Sequence, residues 1–330
     1  MDIYQIYHAN IPDLIKELSD APEMQRLKGI GMDCGCEYTK FPAYQNLTPY
    51  SRFDHSIGVA LIVWHFTNNI TQSIAGLFHD ISSPTFSHTV DFMHKDYTKQ
   101  ESTENGTEEI INSSTYIQSK LQKYGIRTEE VCDYHIYPIA DNDKPKLSAD
   151  RLEYTLNNMI RYLHKPQNEV KSFYDDLFVS KNESGIDELV FKTEKIAEQF
   201  SILALETCKI YVLDEDRFSM ESLAILMRDA LQREVLSMPD LNTTEPEIIT
   251  KIKNDQKLRQ KWNWFCSLHI IQKSYEKPPK EEEWINITAK KRYIDPIVFP
   301  LKRVSAISPP FQAALEDFKK KSFDYWVKGI

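Results

Sequence analysis

The sequence predicts a mainly α-helical fold. Apolar residues recur at three- and four-residue intervals over most of the chain, and strand-like alternation is confined to a short region near residues 283–298. Glycine is sparse, 9 in 330 residues, against a usual share of roughly 7%. A chain of this length buries a substantial core in one large domain or two. The expected division is a core of residues 1–165 and a helical region of residues 166–330 that carries a small β ribbon and packs on the core.

Taken in order, residues 1–33 read as a helical entry, with starts at Ile11-Pro12-Asp13 and Asp20-Ala21-Pro22 and core contacts from Leu14, Leu18, Met24 and Leu27. Residues 34–54, with Phe41-Pro42 and Thr48-Pro49, form a loop. From Ser56 to Phe66, the positions Ile57, Ala60, Leu61 and Trp64 keep helical spacing. Asn68-Asn69 breaks that pattern, and Thr71 is the expected cap of a helix that turns Ile74, Leu77 and Phe78 inward and ends at His79-Asp80. Ser82-Ser83-Pro84 stops it.

The polar stretch Lys95–Glu109 reads as a surface loop, residues 108–134 as helix, and Asp141–Pro145 as a loop leading into a helix from Leu147 to Leu163. Residues 188–213 and 219–237 read as amphipathic helices. Trp262, Trp264 and Phe265 suggest core or a subunit interface, consistent with a homo-oligomer. Residues 283–288 and 292–298 are expected to pair as a ribbon, with Pro296 limiting the second to an edge. Lys290-Lys291-Arg292 reads as solvated surface, with phosphate contact as the alternative. His65 reads as a surface or packing histidine, and His135 as a hydrogen-bonded buried histidine, with a place in a site as its alternative.

A net charge of -9 argues against nucleic acid as an obligatory partner. No Gly-rich phosphate cradle is present, so side chains or a metal must hold any phosphate. Five scattered cysteines fit reduced thiols in a cytoplasmic protein, with Cys34 and Cys36 structural. No apolar run reaches the ~20 residues of a membrane span.

Three words carry chemistry: Ser51-Arg52-Phe53-Asp54-His55-Ser56, then Gly76-Leu77-Phe78-His79-Asp80, then Ser148-Ala149-Asp150-Arg151-Leu152-Glu153-Tyr154. Together they offer His55, His79, Asp80 and Asp150. Two imidazoles and two carboxylates form a mixed donor set for one divalent ion, which suits Mn, Fe, Zn, Ni or Mg. Four protein donors in an octahedral shell leave positions for a water that the ion activates and a phosphoryl oxygen that it polarises.

This ordered set resembles the HD-domain metal-dependent phosphohydrolases. Gln25-Arg26-Leu27, Phe41-Pro42 and Arg52-Phe53-Asp54-His55-Ser56 extend the resemblance toward the deoxynucleoside triphosphate triphosphohydrolases. It implies an HD-domain helical bundle hydrolysing a nucleotide or related phosphoester, with Arg52 and Arg151 at substrate phosphates and Tyr154 and Asn158 at sugar and phosphate. In that branch the run after the His-Asp pair commonly reads Gly-His-Gly-Pro-Phe-Ser-His. Here it is Ser82-Ser83-Pro84-Thr85-Phe86-Ser87-His88, so Ser83 occupies the catalytic histidine's place. A second family histidine aligns with Gln100, followed by Glu101. Leaving-group protonation then falls to His88, to water on the metal or to a residue the sequence does not place, and Asp91 has no histidine at position 83 to orient. The alternatives are a 5′-nucleotidase or phosphodiesterase of the same superfamily, or a catalytically weak regulatory protein that retains metal and nucleotide binding.

Overall fold

The computed structural model describes residues 4–98, 106–278 and 284–330. The mainly α-helical expectation holds, and the central element is the Arg52–Thr67 helix. Its start is fixed by a capping box, in which Ser51 Oγ accepts from the Asp54 amide at 3.2 Å and Asp54 Oδ2 accepts from the Ser51 amide at 3.0 Å. Its end is fixed by Asn68 in the left-handed region, at φ 50°. Ile57, Val59, Ala60, Leu61, Ile62 and Val63 are all buried, so this helix is apolar around most of its girth and sits inside the bundle. The Ile70–Phe78 and Ala149–Arg161 helices pack against it.

The entry helices form as Asp13–Ser19 and Pro22–Arg26, with Leu14, Leu18, Met24 and Leu27 buried. Asn69, two residues before the expected Thr71, caps the next helix by accepting from the Gln72 amide at 3.1 Å. The stretch expected as one helix over 108–134 is two, Thr107–Ser113 and Thr115–Tyr124. Ser114 ends the first and caps the second, accepting from the Ile117 amide at 3.3 Å.

Strands account for the main departures. Residues 187–191, expected within a helix, form a strand paired antiparallel with Leu177–Lys181, and the helix begins only at Glu194. Asn182 closes this hairpin, its Oδ1 accepting from the amides of Ser184 and Ile186. The two expected ribbon strands do not pair with each other. Ile285 bridges to Val327, while Ile297–Val298 runs parallel to Val190-Phe191 and antiparallel to Lys302–Arg303. Pro296 therefore precedes an inner strand of a four-stranded sheet rather than marking an edge. Ile271–Ser274 and Trp326–Gly329 form a second ribbon.

Two buried clusters underlie the fold. One joins the N-terminal bundle to residues such as Phe173, Phe200 and Phe311; the other joins Phe41, Phe86 and Phe92 to Leu223, Trp262 and Phe265. Each draws on both sides of residue 165. Trp262 and Phe265 are core, while Trp264 is exposed. No helix among the described residues is long and apolar enough to cross a membrane.

The fully buried Glu188 ties the sheet to the entry of the Ala149–Arg161 helix. Its carboxylate accepts from the Leu147 amide at 3.2 Å, from Asn182 Nδ2 at 3.1 Å and from Arg303 Nη1 at 2.6 Å. Glu188→Ala removes the acceptor of the Leu147 amide, of Asn182 Nδ2 and of both Arg303 Nη atoms and is expected to cost about 2–4 kcal/mol. A lowered urea midpoint with unchanged slope checks this.

Candidate metal centre

Each candidate ligand sits at the end of a helix, where the backbone changes direction. His55 lies in the first turn of the Arg52–Thr67 helix, and Asp150 lies in the first turn of the Ala149–Arg161 helix behind the Ser148 cap. His79 is the residue at which the Ile70–Phe78 helix stops, and Asp80 opens the turn closed by the Ser83 amide on the Asp80 carbonyl at 2.9 Å. Arg26 holds that turn from behind, its Nη2 donating to the carbonyls of Ile81 and Ser83 at 3.0 and 2.9 Å.

The four side chains converge. His79 Nε2 lies 3.1 Å from His55 Nε2 and 3.4 Å from Asp80 Oδ2, and His55 Nε2 lies 3.0 Å from Asp150 Oδ1. The outer nitrogens settle what the inner ones offer. His55 Nδ1 is 2.6 Å from Glu153 Oε2, and His79 Nδ1 is 2.7 Å from the Gly76 carbonyl, so both Nδ1 atoms donate and both Nε2 atoms present lone pairs to the same point. Two such nitrogens at van der Waals contact, flanked by two carboxylates, are stabilised by a cation between them. The donor set thus fits a divalent ion and does not select among Mn, Fe, Zn, Ni and Mg.

Electrostatics reinforce the arrangement. Burial alone would raise the Asp80 carboxyl, but Arg52, His79 and His55 hold it well below the usual range. Arg52 Nη1 lies 2.7 Å from Asp80 Oδ2, and its Nε donates to Ser87 Oγ at 3.0 Å. Ser83 Oγ donates to Asp80 Oδ1 at 2.9 Å, so the residue in the family histidine's place orients a metal-ligand candidate. Glu153 is buried completely and also accepts from Tyr7 and Tyr50. Gly58 makes room for it, since a Cβ there would lie 2.5 Å from Glu153 Oε1.

The cluster forms the floor of a cavity of about 440 Å³. Asp150, one-fifth exposed, is its open side. Tyr154 and Asn158 follow Asp150 at four-residue intervals on one helix face and line the wall, and Asn158 Nδ2 donates to Tyr211 at 2.6 Å. His88 also lines it, with Nδ1 3.0 Å from Asp91 Oδ2, so Asp91 orients His88. Arg151 reaches the wall but turns its guanidinium to Asp141 Oδ1 at 3.0 Å, the Lys146 carbonyl at 2.8 Å and Asn142, bracing the loop that carries Lys144. Gln100 and Glu101 lie outside the described residues.

Lys290 and Arg292, expected first in solvent, face the cavity together with Lys144. The lining also includes Asp33, bound by Arg161 and by Tyr162 at 2.7 Å, and Asp216, which accepts from Tyr44 at 3.1 Å and whose carboxyl is pushed up to about 7, chiefly by burial, with Arg292 opposing. His135, expected as a hydrogen-bonded buried residue, is half exposed at the rim. Glu153 was legible in principle, as the one further acid a turn beyond Asp150.

No family model matches the sequence. The chain is 30% identical over 302 residues to the uncharacterized protein YdhJ of Bacillus subtilis, an alignment covering 90% of this chain and 87% of that protein. It is 27% identical over 154 residues to the metal-dependent phosphohydrolase cns2 of Cordyceps militaris, covering 45% of this chain and 41% of that one. It is 26% identical over 202 residues to the deoxynucleoside triphosphate triphosphohydrolase SAMHD1 of Bos taurus, covering 54% and 32%. The chain therefore spans less than half the length of these last two. A crystal structure of a phosphohydrolase from Bacteroides thetaiotaomicron superposes with a TM-score of 0.65 at 16% identity, over 97% of this chain and 96% of that one, and shares the fold.

Glu153→Gln keeps the shape but removes the carboxylate that fixes the His55 tautomer. Metal affinity is expected to fall by about 10- to 100-fold, read by competition with a chromophoric chelator. Gly58→Ala should act in the same direction by displacing Glu153.

Proposed function

The chain belongs to the HD-domain metal-dependent phosphohydrolases, and from that premise we propose that it hydrolyses a nucleotide or related small phosphoester in the cavity above His55, His79, Asp80 and Asp150. The observation that carries this reading is the mutually close His55, His79 and Asp80, with Asp150 Oδ1 3.0 Å from His55 Nε2, in a cavity also lined by Lys144, Lys290, Arg292 and several tyrosines. Its size falls within the roughly 300–1,000 Å³ of small-molecule sites. When bound, the ion supplies an activated water and polarises the phosphoryl oxygen.

The chain's own residues supply the rest. Arg52 fixes Asp80 and brings positive charge to the cavity floor. Tyr154 and Tyr211, edge to face at 84°, and Asn158 offer an aromatic, hydrogen-bonding surface for a nucleoside. His88 is the proton donor to the leaving oxygen. Burial pushes its imidazole down, the hydrogen bond to Asp91 pushes it up, and Arg292 and Arg52 push it down again, to about 4. A phosphoryl anion drawn among these groups opposes the field of the two arginines and so raises the His88 imidazole from that value, while burial continues to hold it down. A deoxynucleoside triphosphate is the finer reading of the substrate, supported by the triphosphohydrolase names of the relatives from Bos taurus and Dictyostelium discoideum.

Chromatographic product analysis of the manganese-loaded protein, with Asp150→Ala as blank, tests the proposal on a panel of nucleoside mono- and triphosphates. The expected products are nucleoside and inorganic triphosphate. Orthophosphate from monophosphates would place the protein among nucleotidases, and no product from any member of the panel, with metal bound, would overturn the nucleotide-hydrolase reading. His88→Gln is expected to lower kcat by about 10²- to 10⁴-fold with metal content unchanged, measured in steady state alongside metal analysis.

A further inference from the structure

His88 immediately precedes a helix of only five residues, Thr89–Met93, and Asp91, which orients it at 3.0 Å, lies within that helix. A helix so short does not hold itself together in water, so both of its ends need support from elsewhere in the fold. At the start, Arg52 binds Ser87, and Thr89 Oγ1 donates to the Cys34 carbonyl at 2.9 Å. The end is held by a residue far along the chain. Arg228 Nη1 donates to the carbonyls of Phe92 and Met93 at 2.9 and 3.3 Å, which sets a guanidinium over the C-terminal carbonyls, where a helix favours positive charge.

Arg228 belongs to the Asp214–Gln232 helix, and Glu221 lies two turns before it on the same face. Glu221 Oε1 accepts from Arg228 Nη2 at 2.7 Å. Glu221 is only 6% exposed, whereas the Arg228 side chain keeps 32% of its surface. Tyr97 hydrogen-bonds Glu221 and meets Phe92 edge-on, with 5.1 Å between ring centres and 81° between planes. A buried acid therefore fixes one arm of an arginine whose other arm grips the end of the short helix. Val90, Phe92 and Met93 share a buried cluster with Leu223, Ala224 and Met227, so the two helices also pack through apolar side chains.

The long helix sends Asp216 and Met220 into the cavity lining, while Glu221 and Arg228 stand outside it. With Nδ1 donating to Asp91 Oδ2, a neutral His88 carries its proton on Nδ1 and leaves Nε2 as the acceptor. A small displacement of the short helix lengthens that bond and releases the tautomer. We propose that Arg228 and Glu221 are positioning residues, which clamp the Thr89–Met93 helix and thereby hold Asp91 against His88. This inference rests on the phosphohydrolase reading in which His88 is the proton donor.

The test is long-range proton–nitrogen NMR near pH 7 on the magnesium-loaded full chain labelled with nitrogen-15 histidine, the His88 signals being identified by their absence from His88→Gln. Wild type is expected to show the Nδ1–H tautomer of His88, and Asp91→Ala the mixture that marks its loss. Arg228→Gln and Glu221→Gln should each move His88 toward that mixture, and Arg228→Lys should restore part of the wild-type signal. On a nucleotide that wild type turns over, Arg228→Gln should lower kcat by about 10- to 100-fold, the effect of a misplaced catalytic group, with KM and metal content within about 2-fold. The alkaline limb of its kcat profile should move to lower pH, because Asp91 raises the His88 imidazole while burial, Arg292 and Arg52 lower it. Glu221→Gln carries the test should Arg228→Gln fail to fold. An unaltered His88 tautomer in the folded variants overturns the clamp, whatever happens to rate or stability. Loss of the tautomer in variants of a protein that turns over no nucleotide would sustain the clamp while refuting the hydrolase reading, and wild-type turnover with the tautomer intact in both variants would do the reverse.

Discussion

Two imidazole nitrogens held 3.1 Å apart with their lone pairs facing each other are the constraint on which the rest of this structure depends. Such an arrangement is repulsive unless a cation sits within it, and it persists only because each ring is gripped from behind. Glu153 and the Gly76 carbonyl supply those grips. Glu153 is in turn held by two tyrosines in a space that only glycine at position 58 leaves open. A buried acid, a missing side chain and two phenols are all arranged to decide which nitrogen of His55 carries a proton.

The same logic extends outward through Asp80. Its carboxylate meets Arg52 on one oxygen and Ser83 on the other, and Arg52 reaches Ser87 in a turn where both Phe86 and Ser87 have positive φ, at 62° and 48°. Two consecutive non-glycine residues in the left-handed region cost energy, of order 1–3 kcal/mol each. The buried Phe86 ring and the bond to Arg52 hold them there, and His88 emerges at the cavity from this strained turn. Strain, ligand orientation and the placement of the acid are one connected network.

The four ligand candidates were legible because each sits in a short word at a helix end, where local signals are strongest: a Ser cap before His55, another before Asp150, and a Ser-Ser-Pro stop after Asp80. The long helices were legible from apolar spacing for the same reason. The hairpin at 177–191 was not, because its second strand runs almost directly into the helix that begins at Glu194, and the apolar face of that strand meets Ile297 more than a hundred residues away. Lys290 and Arg292 read as solvated for a related reason. Nothing in their neighbourhood encodes the hydrogen bond from the Asp295 amide to the Pro145 carbonyl that lays this segment over the cavity. Asp91 could be read as an acid without a histidine until the turn at Phe86-Ser87 brought His88 beside it.

The segment that carries Lys290 and Arg292 also has a bearing on how the site comes into being. The four metal-ligand candidates all lie within the first 150 residues, whereas Lys290 and Arg292 lie beyond residue 289. On a ribosome the ion's donors emerge well before that segment, and N-terminal parts of a chain begin to fold during synthesis. The N-terminal donors can therefore come together while the cavity still lacks the wall that Lys290 and Arg292 line, so the cavity is completed only when the C-terminal half folds back over it.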